Sequence, residues 1–542
     1  MNGIIMIPYP TNEPISSFAP GTPERDSLKA RLEKMKGEQI EIPLIIGGKE
    51  VRTGKLADCV CPHDRGHVLA RYHKAGPDEI ELAVKEAKKA WVDWSEMDWV
   101  SRAAIFLRAA ELLATKYRDT LNAATMLGQS KTAHQAEIDS ACELIDFYRF
   151  NPYYMNMIYS EQPDSSPGMW NYMEYRALEG FIFAVTPFNF TSIAGNLPTA
   201  PAMMGDVVLW KPASSAVYSA YFLTRLWKEA GLPDGVINFI PGPGRYVGDP
   251  VLEKGDLAGV HFTGSTAVFQ AMWKTIGTSI KNYRCYPRIV GETGGKDFIF
   301  VHASADVEAV AVALLRGAFE YQGQKCSAAS RAYIPAGIWP SVKKKLLDDL
   351  KTVKMGDISD FSNFVGAVID KAAFDSIVEY IEFAKKASDA EIISGGGYDD
   401  SKGYFIEPTV VLTTNPRFRL MEEEIFGPVL TIYVYPDKEF DQTLTLCDAT
   451  SPYALTGCIM ANDRTAVDKA FKTLRHAAGN FYINDKPTGA VVSQQPFGGG
   501  RGSGTNDKAG SYMNLLRWVN ARAVKENLNP PTDYRYTFMK SK

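Results

Sequence analysis

Cys326 sits in the run Phe319-Glu320-Tyr321-Gln322-Gly323-Gln324-Lys325-Cys326-Ser327-Ala328, after a Gly-Gln-Lys turn and among small residues. Upstream, Glu292 lies in Gly291-Glu292-Thr293-Gly294-Gly295-Lys296. A thiol can attack a carbonyl carbon, and the thioester it forms needs a base to activate water for its release. The two residues are therefore read as nucleophile and base. A free cysteine is also a common core residue, so a small buried side chain is the competing reading of Cys326. The other cysteines are Cys59, Cys61, Cys142, Cys285, Cys447 and Cys458, an odd total of 7 with no C-x-x-C pair. That pattern argues against a disulfide framework or a zinc site.

Three further stretches put polar residues at strand ends. In Thr186-Pro187-Phe188-Asn189-Phe190 the Asn189 amide can stabilise a developing oxyanion; an Asx turn is the alternative. Val208-Leu209-Trp210-Lys211-Pro212 offers an ammonium to ribose or phosphate, or simply a solvated lysine. Phe262-Thr263-Gly264-Ser265-Thr266 ends a strand and opens a helix, where free N–H groups favour a phosphate; otherwise Ser265 is an ordinary N-cap. Gly242-Pro243-Gly244, followed by Gly248, misses the G-x-G-x-x-G spacing, and Pro243 has no N–H for a pyrophosphate, so it is read as a turn.

These strand ends need a scaffold. Apolar runs at Phe181–Val185, Val207–Trp210, Val236–Ile240 and Val260–Phe262 read as strands. Helical spacing covers Ile193–Met203, Ser215–Glu229, Arg245–Leu252 and Val268–Ser279. The alternation predicts a doubly wound parallel sheet with its ligand crevice at the strand carboxyl ends. A second alternating segment runs from Ile299 to about Tyr482. It has helices at Val307–Phe319, Ser341–Leu350, Phe374–Ala387 and Ala466–Arg475 and strands at Ala332–Ile334 and Thr431–Tyr435. Residues 1–75 read as loop-rich with a hairpin over Leu44–Arg52. Helices follow from Pro77, from Ser101 through Ala114, and over Glu137–Phe147, the last ending before Asn151-Pro152. Residues 152–176 are dense in Tyr, Trp and Met and carry Pro163 and Pro167. They are read as a hairpin packed on a partner subunit, with a loop over the core as the alternative. The divisions are then 1–151 (entry and helices), 152–176 (oligomerisation hairpin), 177–296 (cofactor core), 297–484 (catalytic domain) and 485–542 (loop and oligomerisation tail).

The chain's 542 residues allow two or three domains. Its net charge of −4 and pI near 6.1 give no basic surface for nucleic acid. No apolar run reaches the ~18–20 residues of a membrane span. Met1–Asp26 lacks a signal pattern and carries one arginine, Arg25. A cytoplasmic protein is expected, or a mitochondrial matrix protein if the chain is a processed eukaryotic one.

Taken in order, Pro187-Phe188-Asn189-Phe190, Lys211-Pro212, Phe262-Thr263-Gly264-Ser265, Glu292-Thr293-Gly294-Gly295-Lys296, Gly323-Gln324-Lys325-Cys326, Glu424-Ile425-Phe426-Gly427-Pro428 and Pro496-Phe497-Gly498-Gly499 resemble the aldehyde dehydrogenase superfamily over about residues 40–525. Gln135-Ala136-Glu137-Ile138-Asp139, Glu143-Leu144-Ile145-Asp146-Phe147, Asn480-Phe481-Tyr482-Ile483-Asn484-Asp485-Lys486 and Gly504-Thr505-Asn506-Asp507-Lys508 resemble its branch acting on glutamate γ-semialdehyde. The resemblance implies an α/β protein with a Rossmann-type cofactor domain, an α/β catalytic domain and a small β-flap for oligomerisation. It implies a Cys326 thiohemiacetal, an oxyanion held by Asn189 and the Cys326 N–H, and thioester hydrolysis by Glu292. The implied cofactor is NAD, with NADP as a weaker alternative because Ser214 stands where many NAD-preferring relatives have glutamate. Thr263, Gly264 and Ser265 would hold the pyrophosphate, Lys211 the adenosine ribose, and Glu424, Phe426 and Phe188 the nicotinamide end.

For the substrate, the resemblance places Lys325 at the pocket floor, where an α-carboxylate would pair a costly buried ammonium. Ser327 and the Thr488-Gly489-Ala490 loop join it, although Ala490 replaces the serine of many relatives. Phe190 and Phe497 would wall the aliphatic chain. Glu143 is a candidate near the amino group, with an exposed helix carboxylate as its alternative. The implied reaction is oxidation of open-chain glutamate semialdehyde to glutamate, the second step of proline catabolism. The implied partners are a second copy of the chain and, as a candidate, a proline dehydrogenase, with no nucleic acid or membrane. A dehydrogenase for another ω-semialdehyde or a plain aldehyde, and a non-catalytic member of the fold, are the competing readings.

Overall fold

The structure is a computed structural model that describes residues 3–540. Strand Phe181–Val185 is the first parallel strand along the chain in the first sheet and sits near its middle. The order is Arg288–Glu292, Leu257–Thr263, Phe181–Val185, Val207–Lys211, Ile237–Phe239, Leu44–Ile46, Lys49–Val51. The first five strands are parallel. The hairpin Leu44–Val51 joins antiparallel at the edge. Helices Thr191–Met203, Val217–Ala230, Gly244–Leu252 and Thr266–Thr278 fill the crossovers. Chain order reverses between Phe181–Val185 and Leu257–Thr263, which opens a crevice at their carboxyl ends.

The second sheet runs Ala390–Ser394, Thr409–Thr413, Val429–Tyr435, Ala329–Pro335, Asp297–Val301, Thr456–Met460, Asn480–Ile483. Only the edge strand Ala390–Ser394 is antiparallel. Alternation on Asp297–Val301 divides the core: Phe298 and Phe300 pack on one face, Ile299 and Val301 on the other. Glu292 ends a strand of the first sheet and Asp297 begins an inner strand of the second. Residues 293–296 therefore join the carboxyl edge of one sheet to the amino edge of the other, and the site lies at that junction.

Three expectations need correction. Residues 1–75 contain a helix, Pro23–Lys36, whose Leu28, Leu32 and Met35 are buried at helical spacing. The helix expected to stop before Asn151-Pro152 runs through Pro152 as Leu144–Ser160. Burial of Tyr148, Met155 and Ile158 along it outweighs the ~3 kcal/mol an internal proline costs. Residues 152–176 are consequently no hairpin: 152–160 are helical, and Met169–Arg176 pairs antiparallel with Asn520–Asn527 from the far end of the chain. Among the described residues, no helix is long and apolar enough to cross a membrane.

Candidate active site

Cys326 lies just before strand Ala329–Pro335, after a turn of uncommon backbone. Tyr321, Gln322 and Gly323 have φ of 51°, 55° and 66°, left-handed values that cost a non-glycine residue ~1–3 kcal/mol. Side chains hold the turn. Gln322 Nε2 donates to Ser130 O at 3.0 Å and Ala367 O at 2.7 Å, and Gln324 Oε1 accepts the Ile369 N–H at 2.8 Å. At Gly323 a Cβ would overlap the Gly427 carbonyl. Cys326 ends 9% exposed. Burial, with the charges of Glu292 and Asp297, pushes its thiol well above the ordinary range, so at rest it is protonated. Asn189, at the end of Phe181–Val185, donates from Nδ2 to Gln324 O at 3.0 Å. That bond ties the two sheets together beside the thiol and leaves the amide a second N–H.

At the switch point of the first sheet is a cleft of about 780 Å³. Thr263, Gly264, Ser265, Lys211, Phe188, Asn189, Glu424, Phe426 and Cys326 all line it. Ser265 caps the helix Thr266–Thr278, accepting the Val268 N–H at 3.4 Å. Lys211 is 7% exposed; burial lowers its ammonium to about 8, and Nζ donates to Pro212 O at 3.1 Å. Phe188 and Phe426 meet edge-on at 5.7 Å. Glu424 accepts the Gly295 N–H at 2.8 Å, and a Cβ at Gly294 would overlap its carboxylate. Burial raises Glu424 to about 7. A long cleft with a lysine, a capped helix start and an aromatic end fits a dinucleotide. Two readings change here. Ser214 is exposed, bonds Gly242 O at 3.4 Å and does not line the cleft. The set-aside Gly242-Pro243-Gly244 turn opens a helix, and Gly244, Arg245 and Gly248 do line it.

On the other side of Cys326 lies a chamber of about 630 Å³. Phe190, Phe497, Lys325, Ser327, Gly489 and Ala490 line it. Ser327 Oγ and Thr488 Oγ1 are 2.8 Å apart, and Gly489 has φ of 94°. Lys325 differs from expectation: its Nζ is 3.1 Å from Glu320 Oε2, with both side chains buried. The ammonium has a protein counter-charge and does not require one from a substrate. Burial pushes the Glu320 carboxyl up, but Lys325, Lys486 and the Arg316 hydrogen bond pull it down to about 2. Arg316, Lys325 and Lys486 surround the Glu320 carboxylate, three cations to one, while Glu13, Glu143 and Asp146 line the chamber as well. Glu143 is no exposed helix carboxylate. It lines the chamber, and burial together with Asp139 raises it to about 8, which leaves it protonated at neutral pH.

Glu292 lines a third cavity, of about 40 Å³, together with Glu143, Thr263, Phe497 and Asp507. A water needs ~10–15 Å³ on this measure, so a few fit. Burial raises Glu292 to about 8 against the pull of Lys508.

The sequence reading missed one supporting pair. Lys131 Nζ is 2.7 Å from Asp139 Oδ2, both fully buried, and lies 4.0 Å from the Phe190 ring centroid. Asp139 also accepts the N–H groups of Thr191 and Ser192 at 3.0 and 2.8 Å. The pair thus fixes the turn that carries Asn189 and Phe190. Its local signal was an ordinary Lys/Asp spacing, and its partners arrive from about 50 residues away.

A family model described as aldehyde dehydrogenase matches residues 50–524. A mitochondrial Delta-1-pyrroline-5-carboxylate dehydrogenase of Dictyostelium discoideum is 54% identical over 98% of this chain and 96% of that protein. A crystal structure of the Mycobacterium tuberculosis Delta-pyrroline-5-carboxylate dehydrogenase bound with NAD superposes with TM-score 0.97 at 50% identity, covering 100% of both chains. A proline utilization A structure from Bdellovibrio bacteriovorus matches with TM-score 0.91 at 28% identity, over 96% of this chain and 53% of that one.

Proposed function

This chain belongs to the aldehyde dehydrogenase family, and we propose that it oxidises open-chain L-glutamate γ-semialdehyde to L-glutamate with NAD, the second step of proline catabolism. The observation that carries this is Cys326. Among the described residues it alone lines both the 780 Å³ cleft and the 630 Å³ chamber, so one thiol faces cofactor and aldehyde together.

The residues divide the chemistry as follows. Cys326 Sγ attacks the aldehyde carbon, and its proton leaves to a base. The Asn189 amide donates a hydrogen bond to the oxyanion. NAD, held by Lys211, the Ser265 helix start, Glu424 and the Phe188–Phe426 pair, supplies the hydride acceptor. The thioester left on Cys326 is hydrolysed by water from the small cavity, Glu292 taking the water proton. The cationic floor and the Gly489 turn receive the substrate's carboxylate, with Phe190 and Phe497 along its chain.

The relatives named above support the substrate. The Bdellovibrio protein, about half of which matches, supports coupling to a proline-oxidising partner. The Met169–Arg176 and Asn520–Asn527 flap supports at least a dimer. The mitochondrial designation of the Dictyostelium relative favours the matrix if the chain is eukaryotic.

A second reading, a dehydrogenase for neutral aldehydes or other ω-semialdehydes, draws on the internal Lys325–Glu320 pair, since no substrate charge is needed there. Steady-state turnover of glutamate semialdehyde, propanal and succinate semialdehyde, with NAD and then NADP, separates the two. The expected kcat/KM is highest for glutamate semialdehyde with NAD. Equal values for propanal would overturn the assignment.

A further inference from the structure

Before the first helix, residues 7–17 form neither helix nor strand, yet they are pinned to the rim of the substrate chamber. Asn12 Nδ2 donates to Asp146 Oδ2 at 2.8 Å and to Val492 O at 3.0 Å, while its Oδ1 accepts from Gln494 Nε2 at 2.9 Å. One amide thus bridges helix Leu144–Ser160 and the loop that carries Gly489 and Ala490. The Glu13 N–H donates to Asp146 Oδ1 at 2.7 Å, and the Glu13 carboxylate accepts from Arg118 at 2.5 Å and Arg149 at 2.6 Å. Tyr9 packs edge-on against Tyr153 at 5.1 Å and reaches Ser493 Oγ at 3.2 Å. Asn12, Glu13 and Ile15 also line the chamber whose far end is Cys326.

We infer that residues 7–17 are a strap that determines substrate selectivity, with Asn12 as the positioning residue that holds loop 489–495 at the length suited to a short carboxylated aldehyde. The physical reason is that this loop has no sheet or helix of its own. Its register rests on few bonds: Val491 N–H to Gln495 Oε1 at 3.0 Å, the Gln494 and Gln495 N–H groups to Val491 O at 3.0 Å, Thr488 to Ser327 at 2.8 Å, Tyr9 to Ser493 at 3.2 Å, and the two Asn12 contacts. Without the bridge the mouth widens, and the carboxylate site at Gly489 drifts from the distance that places the aldehyde carbon at Cys326. Asp139 and Lys131 do not substitute for it, since they fix the opposite wall at Phe190.

This inference rests on the reading of the chamber as a semialdehyde site. The test uses the full chain with Asn12→Ala, Asn12→Gln and Asn12→Asp. For Asn12→Ala, KM for glutamate semialdehyde should rise about tenfold with kcat within about twofold, and selectivity over hexanal should fall by a similar factor. Asn12→Gln should recover part of the loss. Asn12→Asp should lose more than alanine, because it sets a carboxylate against Asp146 and the Val492 carbonyl. Amide hydrogen exchange at residues 491–495 should quicken in Asn12→Ala. Unchanged KM and unchanged exchange overturn the proposal. If the parent protein turns over no glutamate semialdehyde, the substrate reading fails, and the strap is then judged by exchange and by the selectivity shift on whichever aldehyde the parent prefers.

Discussion

Lys325 Nζ lies 3.1 Å from Glu320 Oε2, and Arg316 Nε lies 2.8 Å from the other oxygen of the same carboxylate. The charge beside the nucleophile is neutralised from within the protein, and Glu320 carries two cations at once. Their removal is therefore unequal. Glu320→Gln leaves Lys325 buried and unpaired and should cost ~3–5 kcal/mol. Lys325→Met leaves Glu320 with Arg316 and should cost less. Urea denaturation of both variants and the double mutant reads this, with the double costing less than the sum. Strict additivity would mean the pair is not coupled.

Glu292 provides the pH dependence. Its carboxyl is raised to about 8 by burial, and only the ionised form accepts a proton from water. Turnover should therefore climb between pH 7 and 9 and level off above. Glu292→Gln should lose that climb along with ~10²–10⁴ of kcat, while a first burst of NADH near one per Cys326 survives as thioester accumulates. Stability runs the other way. Between the ordinary value of 4.5 and about 8, the folded protein holds a proton the unfolded chain has lost, so stability falls as pH rises through that window. Glu292→Gln removes this slope and should melt above the parent at pH 9.

Asn189→Ala removes both the oxyanion donor and the 3.0 Å bond to Gln324 O. A loss of ~10²–10³ in kcat is expected, with the dissociation constant for NAD, measured by fluorescence titration, moved less than threefold. A loss confined to NAD affinity would remove Asn189 from the oxyanion role.

Lys131→Met strips the counter-charge from a fully buried carboxylate. Asp139 keeps its two backbone donors, so the expected cost is at the low end of ~3–5 kcal/mol. Phe190 loses its cation in the same step. Thermal unfolding should show the drop, and KM for the semialdehyde should rise with it. Lys131→Arg keeps the charge but not the volume, and should recover less than half of the stability.

The chemistry of this chain was legible because it sits in short, local words. Glu292, Asn189, Lys211 and the Thr263-Gly264-Ser265 turn each lie where a strand gives way to a loop, and Cys326 where a turn leads into a strand. Strand and helix periodicities fall out of nearest-neighbour spacing. Periodicity therefore placed the doubly wound sheet within a few residues, and with it the cleft at the switch point. What local spacing does not encode is which distant side chain meets which. Lys325 reads as a charge in search of a substrate until Glu320 folds back through three left-handed residues to meet it. Glu143 reads as a surface carboxylate until the fold turns it into the chamber. Helix Leu144–Ser160 outlasts Pro152 only because its buried face is worth more than the missing hydrogen bond. Residues 7–17 carry no periodicity, and the flap joins Met169–Arg176 to a strand beginning at Asn520. The sequence by itself determined the reacting groups and the order of the elements that bear them. Tertiary structure decided their charge states, their partners and the walls of the chamber, because burial and long-range pairing set those energies and neither is a property of neighbours along the chain.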